Sequence, residues 1–216
     1  MRAESVAHRE YFDSVAGNWD GICRHDRGKI SMILDLIGLA EGDRVLDVGT
    51  GTGILVPFLL ERIGRTGAVH GVDISAEMLE VARSKQKVPN VRFIHGDILY
   101  LPLPKEGYDH VICYSVFPHL GEKRIVIGVL ARCLKAGGRL TICHSSGREE
   151  INRHHQSSHP AVANDYLPRL DALKEVLVGA GLESYVSVDS DNMYLVSVRK
   201  PAAGEKPAGR PWHYSL

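Results

Sequence analysis

The feature that most constrains this chain is a run of glycines directly after a short apolar segment. Residues 44–48, RVLDV, are mostly apolar and include two β-branched valines, which predicts a strand, and GTGTG follows at once at 49–53. The next residues, ILVPFLLERI, predict a helix. Glycines between a strand and a helix let the backbone approach a ligand closely, while the helix amino terminus offers unpaired N–H donors. The loop therefore predicts a bound cofactor.

Strands and helices alternate along the rest of the chain. Apolar residues of 29–40 recur with helical spacing, and this helix is predicted to end near Gly38. A later helix, with a core face of Val126, Val129, Leu130 and Cys133, is predicted to end at a left-handed glycine within 135–138. The remaining predicted elements are strands at 68–73, 91–95, 109–115 and 139–144, helices at 75–85 and 168–180, and a closing hairpin of 184–190 with 192–200.

This order of elements predicts an α/β fold. We expect a doubly wound, Rossmann-like, seven-stranded and mostly parallel sheet with an antiparallel carboxy-terminal strand. The 216 residues suit one such core. The chain is predicted to comprise an amino-terminal helical lid (1–40), the core (41–199) and a flexible tail (200–216). Within the tail, Trp212 and Tyr214 are the residues able to dock on the rest of the protein.

Composition argues against several classes of protein. The 26 basic and 26 acidic residues cancel, so no overall field gathers nucleic acid or an anionic membrane. The amino terminus lacks the apolar core of a signal peptide, and no apolar run has the length of a membrane span. The four cysteines form no CxxC pair, which favours a reducing compartment. We therefore expect a cytoplasmic protein without nucleic-acid partners or membrane insertion, as a monomer or homodimer.

The spacing of the glycines narrows the choice of cofactor. A dinucleotide-binding loop has the pattern GxGxxG, but Ile54 occupies the position of its third glycine. The loop instead reads GxGxG, and Asp47 precedes it, where a carboxylate favours a cationic ligand such as S-adenosylmethionine. Asp73 ends the second strand and is placed to hold ribose hydroxyls, and Asp97 follows the third strand. Equally open are structural roles, in which Asp47 caps the turn and Gly53 permits helix packing.

Five segments in order, VLDVGTGTG, VDIS, GDILYLP, YDHVICYSVFPHL and LKAGGRLTI, resemble the class I S-adenosylmethionine-dependent methyltransferases. The resemblance covers roughly residues 10–199 and is greatest to the quinone-biosynthesis C-methyltransferases and nearby small-molecule enzymes. It implies a cofactor, S-adenosyl-L-methionine, that leaves as S-adenosyl-L-homocysteine. It also implies cofactor contacts from Asp47, Gly49, Thr50, Gly51, Gly53, Asp73, Ile74, Asp97, Ile98, Tyr114 and Ser115. The segment YFDSVAGNWD is similar to the part of that group that lies over the cofactor.

The acceptor side is predicted from chemistry. Methyl transfer is an in-line displacement, so the site must align the nucleophile and exclude water, and a base is needed only if a proton must leave. The histidine-rich segment 143–160 departs from the quinone-methylating group and places a quinone acceptor in doubt. We predict a small-molecule acceptor, catalytic roles for His144, His119 and Tyr114, and acceptor contacts from Tyr11, Trp19, His119, His144, Arg148, Asn152 and His155.

Other interpretations of the same residues stay open. His155 and His159 have i, i+4 spacing on a predicted helix, which suits a divalent metal, so the metal candidates are His144, His155 and His159. A non-catalytic metal-binding protein would use these with His154. In the remaining interpretation, the histidines form a solvated polar face. Cys113 and Cys143 are predicted core residues. A nucleotide-dependent oxidoreductase is disfavoured, because Ile54 replaces the third glycine of its loop.

Overall fold

The computed structural model describes residues 3–202 and 204–205, and its centre is one seven-stranded sheet with the strand order β3-β2-β1-β4-β5-β7-β6. Strands β1 to β5 are mutually parallel, and β7 runs antiparallel to both β5 and β6. The predicted fold class is confirmed. The strands are β1 (Arg44–Val48), β2 (Ala68–Asp73), β3 (Val91–His95), β4 (Tyr108–Tyr114), β5 (Leu134–His144), β6 (Glu183–Ser190) and β7 (Met193–Arg199).

Helices cover both faces of this sheet. Residues Val45 and Leu46 are both fully buried but belong to opposite apolar clusters, because successive strand residues point to opposite faces. Because both faces of β1 are buried, its apolar residues Val45, Leu46 and Val48 do not alternate with exposed polar residues. The helices are α1 (Ala3–Val15), α2 (Trp19–Ile22), α3 (Arg27–Ile37), α4 (Val56–Ile63), α5 (Ala76–Lys85), α6 (Lys123–Cys133), α7 (Arg148–Gln156) and α8 (Leu170–Gly179).

Helix α3 belongs to the core layer and not to a lid. Asp26 caps its start by accepting a hydrogen bond from the Lys29 amide at 3.0 Å, and Gly38 ends it in the left-handed conformation at φ +66°. Its apolar residues are buried in one cluster with residues of α4 and of the sheet, including Ile112. Within residues 1–40, α1 and α2 therefore remain for the predicted lid, and these two helices are called the lid.

The predicted glycine cap of α6 is wrong. The helix ends at Cys133, and Leu134 is already extended and fully buried in β5, where it pairs with Tyr108. Gly137 is left-handed, at φ +79°, but it lies inside β5, beside a register shift in the β4–β5 pairing. Sheet pairing has thus replaced the last predicted turn of the helix. On the core face of α6, Ile127 is buried where Val129 was expected.

The predicted closing hairpin is present, with Asp191 and Asn192 between β6 and β7. No helix in the described part of the chain is long and apolar enough to cross a membrane. Most of the predicted tail, including Trp212 and Tyr214, lies outside the described residues.

Candidate active site

The glycine loop is held against its neighbours by backbone hydrogen bonds. The amides of Gly49 and Thr50 both donate to the Val72 carbonyl, at 2.8 and 3.0 Å. Gly49 is left-handed at φ +66°, and a Cβ there would lie 2.1 Å from Cγ2 of Val116. Gly53 is also left-handed, and its Cβ would lie 3.3 Å from Ala82 on α5, so this glycine permits helix packing.

Asp47 lies beneath the loop and not in the cavity. Its side chain is buried, and Oδ2 accepts a hydrogen bond from the Thr50 hydroxyl at 2.7 Å. Burial raises the pKa of this carboxyl to about 7, although the bond from Thr50 opposes the change. The geometry matches the structural role left open by the sequence: Asp47 organises the turn, while Gly49, Thr50 and Gly51 line the cavity.

Two carboxylates mark the ends of neighbouring strands. Asp73, after β2, accepts from the Gly51 amide at 2.8 Å and from the Ser75 amide at 2.9 Å, and burial raises its pKa to about 6. Asp97, after β3, accepts from the Leu99 amide at 3.0 Å and from the Ser5 hydroxyl of α1 at 3.2 Å. These bonds fix both carboxylates in the crevice where open α/β sheets bind ligands.

A cavity of about 510 Å³ lies between the lid and the carboxyl ends of the parallel strands. This volume is within the usual range for small-molecule and cofactor sites. Of the residues predicted from sequence, its walls include Tyr11, Phe12, Trp19, Gly49, Thr50, Gly51, Asp73, Ile74, Asp97, Ile98, Tyr114, Ser115, His119, His144, His154 and His155. One continuous space thus joins the glycine loop to the histidine-rich segment.

The lid closes this space with aromatic side chains. Phe12 contacts the rings of Trp19 and His119 edge-on, at centroid distances of 5.6 and 5.2 Å. Tyr11 stacks on His159 at 4.7 Å. On the cofactor side the Ser75 hydroxyl donates to Asp13 of α1 at 2.6 Å. Helix α1 is therefore fastened by polar contacts as well as by packing.

Tyr114 is fully engaged by its neighbours. Its hydroxyl donates to Oγ of Ser145 at 2.9 Å and lies 2.9 Å from Nδ1 of His25. Since the phenol proton goes to Ser145, His25 is the donor in the second bond. Burial raises the pKa of this hydroxyl far above its ordinary value. Tyr114 is thereby suited to positioning the end of β4, and its geometry does not favour proton transfer.

At the end of the cavity near the histidine-rich segment, three histidines surround Asp165, which lies in the loop after α7. Its Oδ2 accepts hydrogen bonds from Nε2 of His8 at 2.9 Å and from Nδ1 of His119 at 2.6 Å. Nδ1 of His155 lies 3.0 Å from the Asp165 carbonyl and donates to it. Burial alone would raise the pKa of the Asp165 carboxyl, but the bonds from His119 and His8 lower it to about 2. The carboxylate therefore stays ionised and orients two imidazoles.

His144 is placed differently from the other histidines. It ends β5, is only 4% exposed and lines the cavity. Its Nε2 is buried and has no hydrogen-bond partner among the described residues. Burial lowers the pKa of this imidazole to about 3, so the ring is neutral near pH 7. A neutral, unpartnered ring nitrogen at a cavity wall is available to a ligand.

On the side of the histidine-rich segment, the predicted residues Arg148, Asn152 and His159 do not line the cavity. Arg148 pairs with Glu149 and Asp189 at the surface of the fold, and the Asn152 amide bonds the backbone N–H and C=O of Leu167, at 2.7 and 3.1 Å. Their placement gives no support to the predicted acceptor contacts. Helix α7 ends at Gln156, so His159 lies in a loop and not one turn beyond His155.

That helix end also removes the predicted metal set. His144, His155 and His159 are not brought to a common point among the described residues. The described group whose ligand atoms lie within 4.8 Å of one another is His8, His119 and Asp165. Sequence reasoning missed His8 and Asp165 because they are 157 residues apart and neither lies in a recognisable motif.

The sheet order, with a glycine loop after β1 and carboxylates after β2 and β3, is that of a doubly wound α/β nucleotide-binding protein. Residues 39–185 match the model of a methyltransferase domain family. The chain is 32% identical over 182 residues to the ubiquinone/menaquinone biosynthesis C-methyltransferase of Stutzerimonas stutzeri, covering 80% of this chain and 70% of that protein. It therefore belongs to the class I S-adenosylmethionine-dependent methyltransferases, near the quinone C-methyltransferase group.

Solved structures share this fold. An S-adenosylmethionine-dependent methyltransferase from Aquifex aeolicus superposes with a TM-score of 0.69 at 23% identity, over 87% of this chain and 98% of that chain. A Haemonchus contortus phosphoethanolamine N-methyltransferase, solved with S-adenosylhomocysteine, gives a TM-score of 0.67 at 22% identity, over 84% of this chain and 45% of that chain. The family assignment makes the chain a methyltransferase enzyme, so the oxidoreductase and non-catalytic alternatives do not hold.

Proposed function

We propose that this enzyme transfers the methyl group of S-adenosylmethionine to a small-molecule acceptor bound at the histidine-lined end of the cavity. The observation that carries the proposal is the continuity of that cavity between the glycine loop and the side chains around Asp165. A methyl donor at one end and a nucleophile at the other would share a space closed by α1. Such enclosure is what an in-line displacement needs.

The cofactor half is assigned by chemistry. Asp73 is an ionisable acceptor held by two amides and suits ribose hydroxyls, while Asp97 and Ile98 offer a polar and an apolar contact for adenine. The backbone at Gly51, where a Cβ would meet nothing within 4 Å, is left open for the methionine portion. When bound, the cofactor supplies an electrophilic methyl group on a sulfonium, and these residues hold and orient it.

The acceptor half suits an uncharged molecule with apolar and hydrogen-bonding parts. Phe12 and Trp19 supply aromatic surface, and His119, His144 and His155 supply ring nitrogens whose pKa values burial lowers. A reduced quinone ring is the first acceptor to test, because the relative from Stutzerimonas stutzeri is named for ubiquinone and menaquinone biosynthesis. Other hydroxylated rings follow, since segment 143–160 departs from that group.

The setting of the enzyme is part of the same proposal. We assign it to the cytoplasm, with no nucleic-acid partner and no insertion into membranes, as a monomer or homodimer. The balanced charge of the sequence and the four free cysteines support this assignment.

Calorimetric titration with S-adenosylhomocysteine tests the cofactor half. Wild-type protein should bind one equivalent, and Asp73→Asn should weaken binding by about 100-fold, because a carboxylate that accepts hydrogen bonds from a ligand contributes about 1.5–3 kcal/mol. The matched control is Asp191→Ala, in the exposed β6–β7 turn, which should bind like wild type. Absence of binding by folded wild-type protein would refute the proposal.

A second assay tests the acceptor half. Transfer of a labelled methyl group from S-adenosylmethionine is followed into reduced quinones, phenols, amines and thiols. Label should enter a small molecule in an amount that depends on wild-type enzyme. Label transferred only to protein or nucleic acid would overturn the acceptor class while leaving the cofactor site intact.

A further inference from the structure

Three side chains from distant parts of the chain meet at the acceptor end. His8 comes from α1, His119 from the turn after β4, and Asp165 from the loop after α7. One potential ligand atom of each lies within 4.8 Å of the others, and His8 and Asp165 are 4% and 8% exposed. Such convergence requires the lid to be closed, because His8 is contributed by the lid itself.

The two imidazoles point at one place. Nε2 of His8 and Nδ1 of His119 are both directed at Oδ2 of Asp165, at 2.9 and 2.6 Å. Two ligands placed about 2.1 Å from a metal ion and at right angles to each other are separated by roughly 3.0 Å. A modest withdrawal of the carboxylate would therefore let an ion lie between the three groups, with each of them as a ligand.

The donor set selects a class of ion. Two imidazoles and one carboxylate suit a divalent first-row transition metal, whereas calcium and magnesium prefer oxygen ligands alone. Three protein ligands are characteristic of metal sites that keep further positions for a small molecule. His8 and His119 line the cavity, so such positions would be reached from the space proposed for the acceptor.

Neighbouring groups supply the supports that metal ligands usually have. The bond from His155 to the Asp165 carbonyl fixes the loop that carries the carboxylate. Nζ of Lys123 donates to the carbonyls of Phe117 and Pro118, at 2.9 and 2.7 Å, and fixes the turn that carries His119. The backbone that carries Asp165 and His119 is thus fixed by hydrogen bonds that do not involve the proposed ion.

We propose that His8, His119 and Asp165 bind a divalent transition-metal ion at the acceptor end of the cavity. The ion would fasten the lid over the site and offer a coordination position to an oxygen or nitrogen atom of a small molecule. Its binding by the chain does not depend on the proposed function, but its role toward a methyl acceptor does. The competing arrangement is a hydrogen-bonded network of the same residues without an ion.

The test uses the full chain without a histidine tag, stripped with a chelator and desalted. Cobalt(II) is titrated while its visible spectrum is recorded, and zinc(II) affinity is measured by competition. Wild-type protein should bind one equivalent of cobalt with a spectrum of nitrogen and oxygen ligation. His8→Gln, His119→Gln and Asp165→Asn should each weaken binding by more than about 100-fold, since even outer-shell changes cost about 10- to 100-fold.

The matched control is His154→Gln, because His154 is exposed on α7 and lines the same cavity without belonging to the group. It should bind cobalt like wild type. The proposal is overturned if wild-type protein takes up no stoichiometric cobalt or zinc, or if the control loses as much affinity as the ligand variants.

S-adenosylhomocysteine is titrated into every sample. Retained binding of S-adenosylhomocysteine shows that a variant is folded. If the substitutions at His119 and Asp165 unfold the chain, the comparison of His8→Gln with wild type decides the test. Metal binding without S-adenosylhomocysteine binding would refute the proposed function and leave the metal site standing. The reverse result would refute the metal site alone.

Discussion

A Cβ atom on Gly49 would lie 2.1 Å from Cγ2 of Val116, so the cofactor loop and the segment after β4 are in direct contact. Gly49 leads from β1 into the glycine loop, whereas Val116 precedes the turn that carries His119. The neighbour of Val116, Ser115, has a positive φ of 55°, which is uncommon for a residue with a side chain. The two halves of the active site thus share one tightly packed contact.

Gly49→Ala should unfold the protein or destabilise it by several kcal/mol, because the new methyl group clashes with Val116 and the backbone is left-handed. The control is Gly137→Ala, which has the same unfavourable φ sign but open space around its Cβ. That change should cost only about 1–2 kcal/mol. Urea unfolding measures both, and equal losses would show that the contact with Val116 does not matter.

Asp47→Asn should change how stability depends on pH. In the folded chain burial raises the pKa of this carboxyl from 3.8 to about 7, so folding favours its protonated form. The associated stabilisation is complete below about pH 4 and is lost as pH rises towards 7, on the order of 4 kcal/mol in all. An amide does not titrate, so the variant should lack this loss.

The measurement is the free energy of unfolding of the cofactor-free protein between pH 4 and 8. Asp73 contributes a loss of the same sign to both proteins, since burial raises its pKa to about 6. The difference between wild type and variant therefore reports the titration of Asp47 together with its charge interaction with Asp73. Parallel curves would mean that Asp47 is ionised throughout.

Asn152→Ala should destabilise the loop that carries Asp165. The Asn152 amide bonds both backbone groups of Leu167, a fully buried residue, and its loss leaves them unpaired at a cost of about 1–3 kcal/mol. Hydrogen exchange should become faster in residues 160–168, while the affinity for S-adenosylhomocysteine stays within about twofold. Arg153→Ala, exposed on the same helix, is the control. Unchanged exchange with impaired methyl transfer would instead support the predicted acceptor contact.

His144→Phe should separate stability from activity. Since Nε2 of His144 is buried without a partner among the described residues, an apolar ring should leave stability unchanged or raise it by about 1 kcal/mol. Methyl transfer to the acceptor identified in the labelling assay should fall by about 100-fold if the imidazole accepts a proton or a hydrogen bond there. Thermal unfolding and labelled-product formation measure the two effects, and full activity in a stable variant would remove His144 from the acceptor site.

Much of the fold could be predicted because its signals are local. The apolar run of β1, the helical spacing of α3 and the cap at Gly38 depend on neighbours in sequence. The end of α6 could not be predicted, because the pairing of Leu134 with Tyr108 across the sheet outweighs the local preference for a glycine cap. Helical spacing likewise predicted that α7 continues to His159, although it ends at Gln156. The metal set of His144, His155 and His159 that this spacing suggested does not form among the described residues.

The placement of Gly49, Gly51 and Asp73 at the cavity could be predicted for a similar reason, since they follow their strands directly, and their contact with a cofactor stays a prediction. The predicted cofactor contact from Asp47 is not supported, because its buried carboxylate accepts a hydrogen bond from Thr50 and does not line the cavity. The proposed acceptor side includes residues of the first helix and of a loop after α7. No local pattern brings His8 to Asp165; the folded sheet does so by placing both above its carboxyl edge.

Helix α1 is bonded to both halves of the cavity: Ser5 to Asp97, Asp13 to Ser75 and His8 to Asp165. If both ligands exchange past this helix, each exchange breaks the same set of bonds. Donor and acceptor would then be kinetically linked, and the rate at which α1 detaches would set a ceiling on turnover, however fast the chemical step is. A more viscous solvent, or a covalent cross-link between α1 and the core, would then lower kcat without altering the transition state of the chemical step.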